Sequence, residues 1–292
     1  MGGTAFAWSV IELVVFTALA PAAAVAYGIV ASRFILLHAD DRATPPPATA
    51  LMMPLALVTV GFVVSATHLG NPSNALYVFV RVGRAGLSSE VLSCGVFLAL
   101  GGTFWIAALL RRPPKTLENL WLVASVAAMV AYLVCTTRAY HMPTIPTWGT
   151  AEAQASLVFE ALAGGALLAR AILSWDARHG TRASILGRHE GLILASCSVT
   201  LGVVTCVILV LQHGRIATIS NIFGTGADLV PHYLVCVALY GIGLLAANAL
   251  VELGARRIGR GADVMLAVGS ALLLVVTLVV RFEFYATYLA LA

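Results

Sequence analysis

From Gly191 to Gln212 the chain reads GLILASCSVTLGVVTCVILVLQ, 22 residues without a formal charge, bounded by Glu190 and His213. About 20 apolar residues at about 1.5 Å each cross the hydrocarbon core of a bilayer. In hydrocarbon every backbone N–H and C=O has to bond within the protein, which leaves helices and closed barrels as spanning structures. A barrel would show short segments of alternating polarity, and this stretch has none. It reads as a helix. Similar stretches recur on both sides, and spans are expected at about 8–32, 50–67, 88–110, 118–138, 155–175, 190–212, 229–252 and 263–283. The expectation is an all-α polytopic membrane bundle of about eight helices forming one transmembrane domain over residues 1–292.

Composition agrees. Hydrophobic residues make up 60% of the protein and charged residues 10%, with a mean hydropathy of +0.95. A soluble domain carries roughly 25% charged residues, so this sequence lacks the charge to coat a water-facing surface. The linkers are short and rich in turn chemistry, as in Thr44-Pro45-Pro46-Pro47 and Arg111-Arg112-Pro113-Pro114-Lys115, and none holds a soluble catalytic domain. Met1-Gly2-Gly3 runs into the first span by Trp8 without a basic leader, so that span is expected to be permanent.

The net charge is +4, from 17 basic and 13 acidic residues. No basic run is interleaved with aromatics, so nucleic acid is not an expected partner. Twelve of the 17 basic residues fall at odd-numbered loops and their helix ends, among them Arg33, Arg111, Arg112 and Arg256. Cytoplasmic loops carry the excess of Lys and Arg, which predicts an N-out, C-out orientation. Arg81, Arg84, Arg138, Arg215 and Arg281 oppose that bias. The same outer side carries His68, His141, His213 and His232, with Glu90, Glu152, Asp228 and Glu283. Ionisable groups at membrane depth cost about 3 kcal/mol and mark functional candidates. Chemistry is therefore to be sought at the outer end. The five cysteines all fall inside apolar spans without a CxxC pair. They read as small buried hydrophobes, with no metal site and no iron–sulfur cluster in this protein.

The most informative segment is 68–90, between the second and third spans. Thr67-His68-Leu69-Gly70-Asn71-Pro72 closes one span, and Arg81-Val82-Gly83 leads to Leu87-Ser88-Ser89-Glu90 at the next. The apolar piece Ser73–Val80 is too short to cross, and Asn71-Pro72 are good helix-start residues, so an interfacial helix is expected there. It would fold His68, Arg81 and Glu90 around one shallow cleft.

These motifs resemble the membrane-anchor subunit of dimethyl sulfoxide reductase, the DmsC family. That family has His-Leu-Gly-x-Pro, then Arg-Val-Gly, then a Ser-rich turn ending in Glu, at the spacing found here. Pro146-Thr147-Trp148, preceded by Arg138 and Tyr140, is a second match, and Arg281-Phe282-Glu283-Phe284-Tyr285 a weaker one. The resemblance implies a multi-pass protein of a prokaryotic plasma membrane that binds and oxidises menaquinol and holds no haem. It implies two partners: a four-cluster, ferredoxin-like iron–sulfur subunit and a molybdopterin catalytic subunit. The site it implies comprises His68, Gly70, Pro72, Arg81, Glu90, Arg138, Tyr140 and Trp148.

Quinol oxidation releases two electrons and two protons. A histidine titrating near neutrality suits the first proton contact, and a nearby carboxylate can relay the proton to water. The expected roles are His68 as ligand and base, Glu90 as proton acceptor, and Arg81 as the group that positions Glu90 or the developing anion. Each has a structural alternative. His68 can cap the second span, and Glu90 can be a first-turn acid behind an N-cap at Ser88 or Ser89. Arg81 and Arg84 can snorkel to headgroups, and Arg138, Tyr140 and Trp148 can belong to an interfacial aromatic belt. Glu12 and Glu160, inside spans one and five, read as acids bonded within the bundle. Two other functions stay open: a haem b anchor using His213 and His232, and a small-solute transporter, whose usual spans broken at mid-depth are not evident.

Overall fold

The structure is a computed structural model that describes residues 2–41, 43–67, 77–110, 113–179, 187–221 and 224–291, without the side chains of 2–10, 77, 79, 221 and 288–291. The long helices are α1 (Gly2–His38), α2 (Ala48–Thr67), α4 (Gly86–Leu110), α5 (Lys115–Ala139), α6 (Ala151–His179), α7 (Arg188–Ile216), α9 (Tyr233–Arg256) and α10 (Arg260–Leu291). All eight are long and apolar enough to span a bilayer, as expected. Short pieces join them: α3 (Tyr77–Val80), the hairpin strands β1 (Ser220–Asn221) and β2 (Gly224–Thr225), and α8 (Gly226–Leu229).

Most helices outrun the apolar windows by a turn or two, because polar helix ends satisfy their own backbone beyond the hydrocarbon. The exception is the seventh span, expected from 229 and found to begin at Tyr233. Before it, Thr225 and Asp228 cap the single turn of α8. Val230 then leaves helical geometry at φ −127°, as the residue before Pro231 should. By contrast, Pro21 and Pro54 sit inside continuous helices.

Two helices form the axis. The apolar windows of α1 and α6 are 78% and 83% buried, against 22–39% for the other six, which therefore face lipid. Small residues allow the central contact: Gly164 faces Ala22, and a Cβ on Gly165 would overlap Val25 and lie 2.9 Å from the Ala22 carbonyl oxygen. Without a hydrophobic drive between helices in lipid, such close backbone approach is the main source of association. Cys94 is the one cysteine fully buried, whereas Cys197 lies exposed on α7, so the expectation of five buried thiols holds at Cys94 alone.

Ion pairs lace the end where α6 and α9 finish. Arg170 meets Glu252 at 3.1 Å, Arg178 meets Asp263 at 3.4 Å, and Arg33 meets Glu190 at 2.6 Å. At the opposite end, α4, α6 and α9 begin and α5 and α10 finish. Val14 of α1 joins Phe284 and Tyr285 of α10 in one cluster there, so α1 begins where α10 ends.

Candidate functional site

The Arg81-Val82-Gly83 motif is a tight turn. The Arg81 carbonyl accepts from Arg84 and Ala85 N–H groups at 3.0 and 2.9 Å. Gly83 takes φ +77°, a conformation that costs a residue with a Cβ about 1 kcal/mol or more. Its N–H donates to Ser89 Oγ at 3.1 Å, which locks the turn onto the start of α4. Gly86 then lies against the end of α5: a Cβ there would sit 2.7 Å from Ala139 Cα. The two glycines and the serine thus press the first turns of α4 onto the last turn of α5.

That contact buries Glu90. It is the fifth residue of α4, 1% exposed, and its carboxyl faces the Thr136 hydroxyl of α5. Oε1 has no hydrogen-bond partner among the described residues. Tyr132, Tyr140 and Tyr285 lie within electrostatic range. The helix begins at Gly86, so Ser88 and Ser89 are inside it and are not N-caps, and the capping explanation of Glu90 fails.

Aromatic rings cluster at the same end of the bundle. Tyr285 donates its hydroxyl to that of Tyr140 at 2.7 Å. Trp148 stacks on Phe284 at 4.9 Å between centroids and 11° between planes, and its indole N–H donates to the Phe284 carbonyl at 3.1 Å. Trp148 and Tyr140 are both buried, which places them inside the bundle rather than in a lipid-facing belt. Arg81 and Arg138 are exposed, and no ion pair joins Arg81 to Glu90 among the described residues. His68, Gly70, Pro72 and residues 73–76 of the expected interfacial helix lie outside the described residues. Thr67, beside His68, is held to α1 by a 2.9 Å bond to Glu12 Oε1. His213 stacks on Tyr233 at 5.5 Å, while His232 is exposed at the start of α9. No group of three or more metal-binding side chains occurs among the described residues.

The buried carboxylates sort into two kinds. Glu118 pairs with Lys115 at 2.7 Å and Glu160 pairs with Arg281. Among the described residues Glu90 alone of the three has no cation. Sequence reading placed Arg281 at a helix end, yet it is 1% exposed inside the bundle. A signal was there: Glu160 is nine residues into α6 and Arg281 ten residues before the end of α10, so both lie about 14 Å from the same end. Tyr132 and Thr136 were also missed, because nothing in one sequence says which face of a hydrophobic helix turns inward.

Comparison with known proteins settles the lineage. The family model for the DMSO reductase anchor subunit (DmsC) matches residues 4–287. The chain belongs to the DmsC family. Among its relatives, the C subunit of anaerobic dimethyl sulfoxide reductase from Haemophilus influenzae is 28% identical over 266 residues, covering 86% of this protein and 92% of that one. The corresponding C subunit from Escherichia coli is 31% identical over 229 residues, 77% and 76% of the two proteins. The anaerobic dimethyl sulfoxide reductase subunit YnfH from Escherichia coli is 33% identical over 177 residues, 61% and 59%. The DmsC match runs from α1 to α10, so Glu90, Trp148 and the Glu160–Arg281 pair all fall inside it.

Proposed function

We propose that this anchor subunit oxidises a quinol, menaquinol by the family resemblance, at the end of the bundle where α4 begins. It passes the electrons to a four-cluster iron–sulfur subunit and through it to a molybdopterin subunit. The relatives named as parts of anaerobic dimethyl sulfoxide reductase support this assignment of partners. The orientation is N-out, C-out in a prokaryotic plasma membrane, with the quinol end and its partners on the non-cytoplasmic face.

The observation that carries the reading is the uncompensated acid. Burying a carboxylate without a cation costs several kcal/mol, and this bundle supplies a cation to its other two buried carboxylates. Among the described residues Glu90 meets no cation; it lies among hydroxyls, directly after the segment that bears His68. A carboxyl so placed relays a proton, releasing the one it holds toward the aqueous end as it takes another from a hydroxyl presented beside it. His68 takes the first proton of the bound quinol, Glu90 takes one onward, and Tyr140 and Trp148 wall the ring. Exposed Arg81 and Arg138 sit at the rim, where they meet the developing quinol anion or the partner rather than Glu90.

The test is quinol-analogue oxidation in membranes holding the assembled complex. His68→Ala and Glu90→Gln are each expected to lower turnover at least a hundredfold with the partner subunits still bound. Wild-type turnover in either assembled variant removes that residue from the mechanism.

A further inference from the structure

We infer that Arg81, Arg84 and Arg138 form a docking face for the iron–sulfur subunit, whose matching surface carries a group of carboxylates. The inference rests on the proposal that the partners assemble at the quinol end, and it names where they sit. Arg81 and Arg84 belong to the turn that the Gly83–Ser89 bond locks onto α4, and Arg138 lies in the last turn of α5. The two elements touch at this point: a Cβ on Gly86, two residues after Arg84, would lie 3.2 Å from the Arg138 carbonyl oxygen. All three arginines are exposed. Among the described residues, which include all 13 acids of the chain, none of the three is ion-paired.

The other described arginines are accounted for. Arg33, Arg170, Arg178 and Arg256 are ion-paired at the opposite end. At the quinol end Arg215 meets Glu152 at 2.7 Å, and Arg281 meets Glu160. Arg188, Arg257 and Arg260 follow the cytoplasmic excess of basic residues, whereas Arg81, Arg84 and Arg138 oppose it. Like charges held together on a fixed turn repel, and an anion from outside the chain relieves them. Exposed Val80, Val82 and Leu87 stand beside them. Arginine beside exposed apolar side chains is the composition of a protein interface. The guanidinium fork takes a carboxylate through two parallel hydrogen bonds. A lipid phosphate fits one fork, but a fixed group of three matches a fixed group of carboxylates on a folded surface. Position favours the same occupant. Glu90 lies four residues into α4, about 6 Å from its start, so a subunit seated on the three arginines covers the end where electrons leave the quinol.

The test co-expresses the full-length anchor with its partner subunits and measures how much partner stays on washed membranes per anchor. Arg81→Ala, Arg84→Ala and Arg138→Ala together are expected to lower that ratio about tenfold in a wash of about 50 mM salt, and the original complex should lose partner as salt rises to about 500 mM. Arg188→Ala, Arg257→Ala and Arg260→Ala together make the same change in net charge at the other end and should leave the ratio unchanged. A photoactivatable benzoylphenylalanine in place of Val82 is expected to cross-link to the iron–sulfur subunit. Arg81→Cys should react with a membrane-impermeant maleimide when the anchor is expressed alone and be protected when the partners are present. Full partner retention in the arginine variant, or cross-links from position 82 to lipid alone, overturns the inference. Glu90→Gln reports separately on the quinol reading: it should keep the partners and lose turnover. Wild-type turnover there, with partner lost from the arginine variant, would sink that reading and leave the docking face standing.

Discussion

Removing one member of the Glu160–Arg281 pair should destabilise the bundle, and the two choices should not cost the same. Both side chains are at most 3% exposed. Breaking such a pair leaves an uncompensated buried charge, a loss of about 3–5 kcal/mol. The orphan can escape by changing its protonation. For a carboxylate that means binding a proton about 2.7 units above its reference pKa, which limits the cost of Arg281→Leu to about 4 kcal/mol at pH 7. A guanidinium would have to lose a proton more than about 5 units below its own, about 7 kcal/mol or more, so Glu160→Leu finds no comparable relief. The double variant removes both charges and should return to within about 1–2 kcal/mol of the original, since a hydrophobic pair of similar volume is tolerated. Reversible unfolding in mixed micelles, followed by circular dichroism on all four proteins, gives the cycle. Glu160→Leu costing less than Arg281→Leu, or a double variant as unstable as the sum of the singles, would refute the reasoning.

The turn before α4 makes a second prediction. Gly83→Ala should cost about 1 kcal/mol through its positive φ. Gly86→Val should cost about 1–3 kcal/mol by forcing α4 off Ala139, with weaker quinol-analogue binding as the accompanying readout. Tyr285→Phe removes the 2.7 Å bond to Tyr140 and should cost about 1 kcal/mol in the same unfolding assay. Arg81→Cys, exposed on the site end, should react in intact cells with a membrane-impermeant maleimide; protection until the cells are opened would reverse the proposed orientation.

Much of the fold was written in the hydropathy, because the bilayer sets both the length and the secondary structure of each span. The eight helices follow from that constraint alone. Their faces do not: α1 is apolar all round, as its lipid-facing neighbours are, and the central position of α1 and α6 rests on small residues such as Ala22 and Gly165. Glu90, Tyr140 and Trp148 were legible because their types are unusual at those positions. Arg138 was picked for the same reason and lies exposed, so residue type identified the neighbourhood without assigning the side chain's direction. The Glu160–Arg281 pair was legible only by matching depths across two helices distant in sequence. The start of α9 was misread because hydropathy does not register the break that Pro231 imposes.

The depth of Glu90 bears on what the anchor can do with the energy of quinol oxidation. Four residues separate it from the start of α4, about 6 Å along the axis, roughly a fifth of a 30 Å hydrocarbon core. Carrying one charge across the full membrane against 100 mV takes about 2.3 kcal/mol; a fifth of that is about 0.5 kcal/mol. If quinol gives up its protons at Glu90 and its electrons to a partner on the same face, little charge crosses the field in either form. Turnover in sealed vesicles should then change by less than about threefold when a 100 mV potential is collapsed with a potassium ionophore, because about 0.5 kcal/mol corresponds to a factor of two to three. A tenfold response would require proton or electron transfer through most of the membrane. That would place the acceptor of one or the other at the ion-paired end, about 24 Å from Glu90.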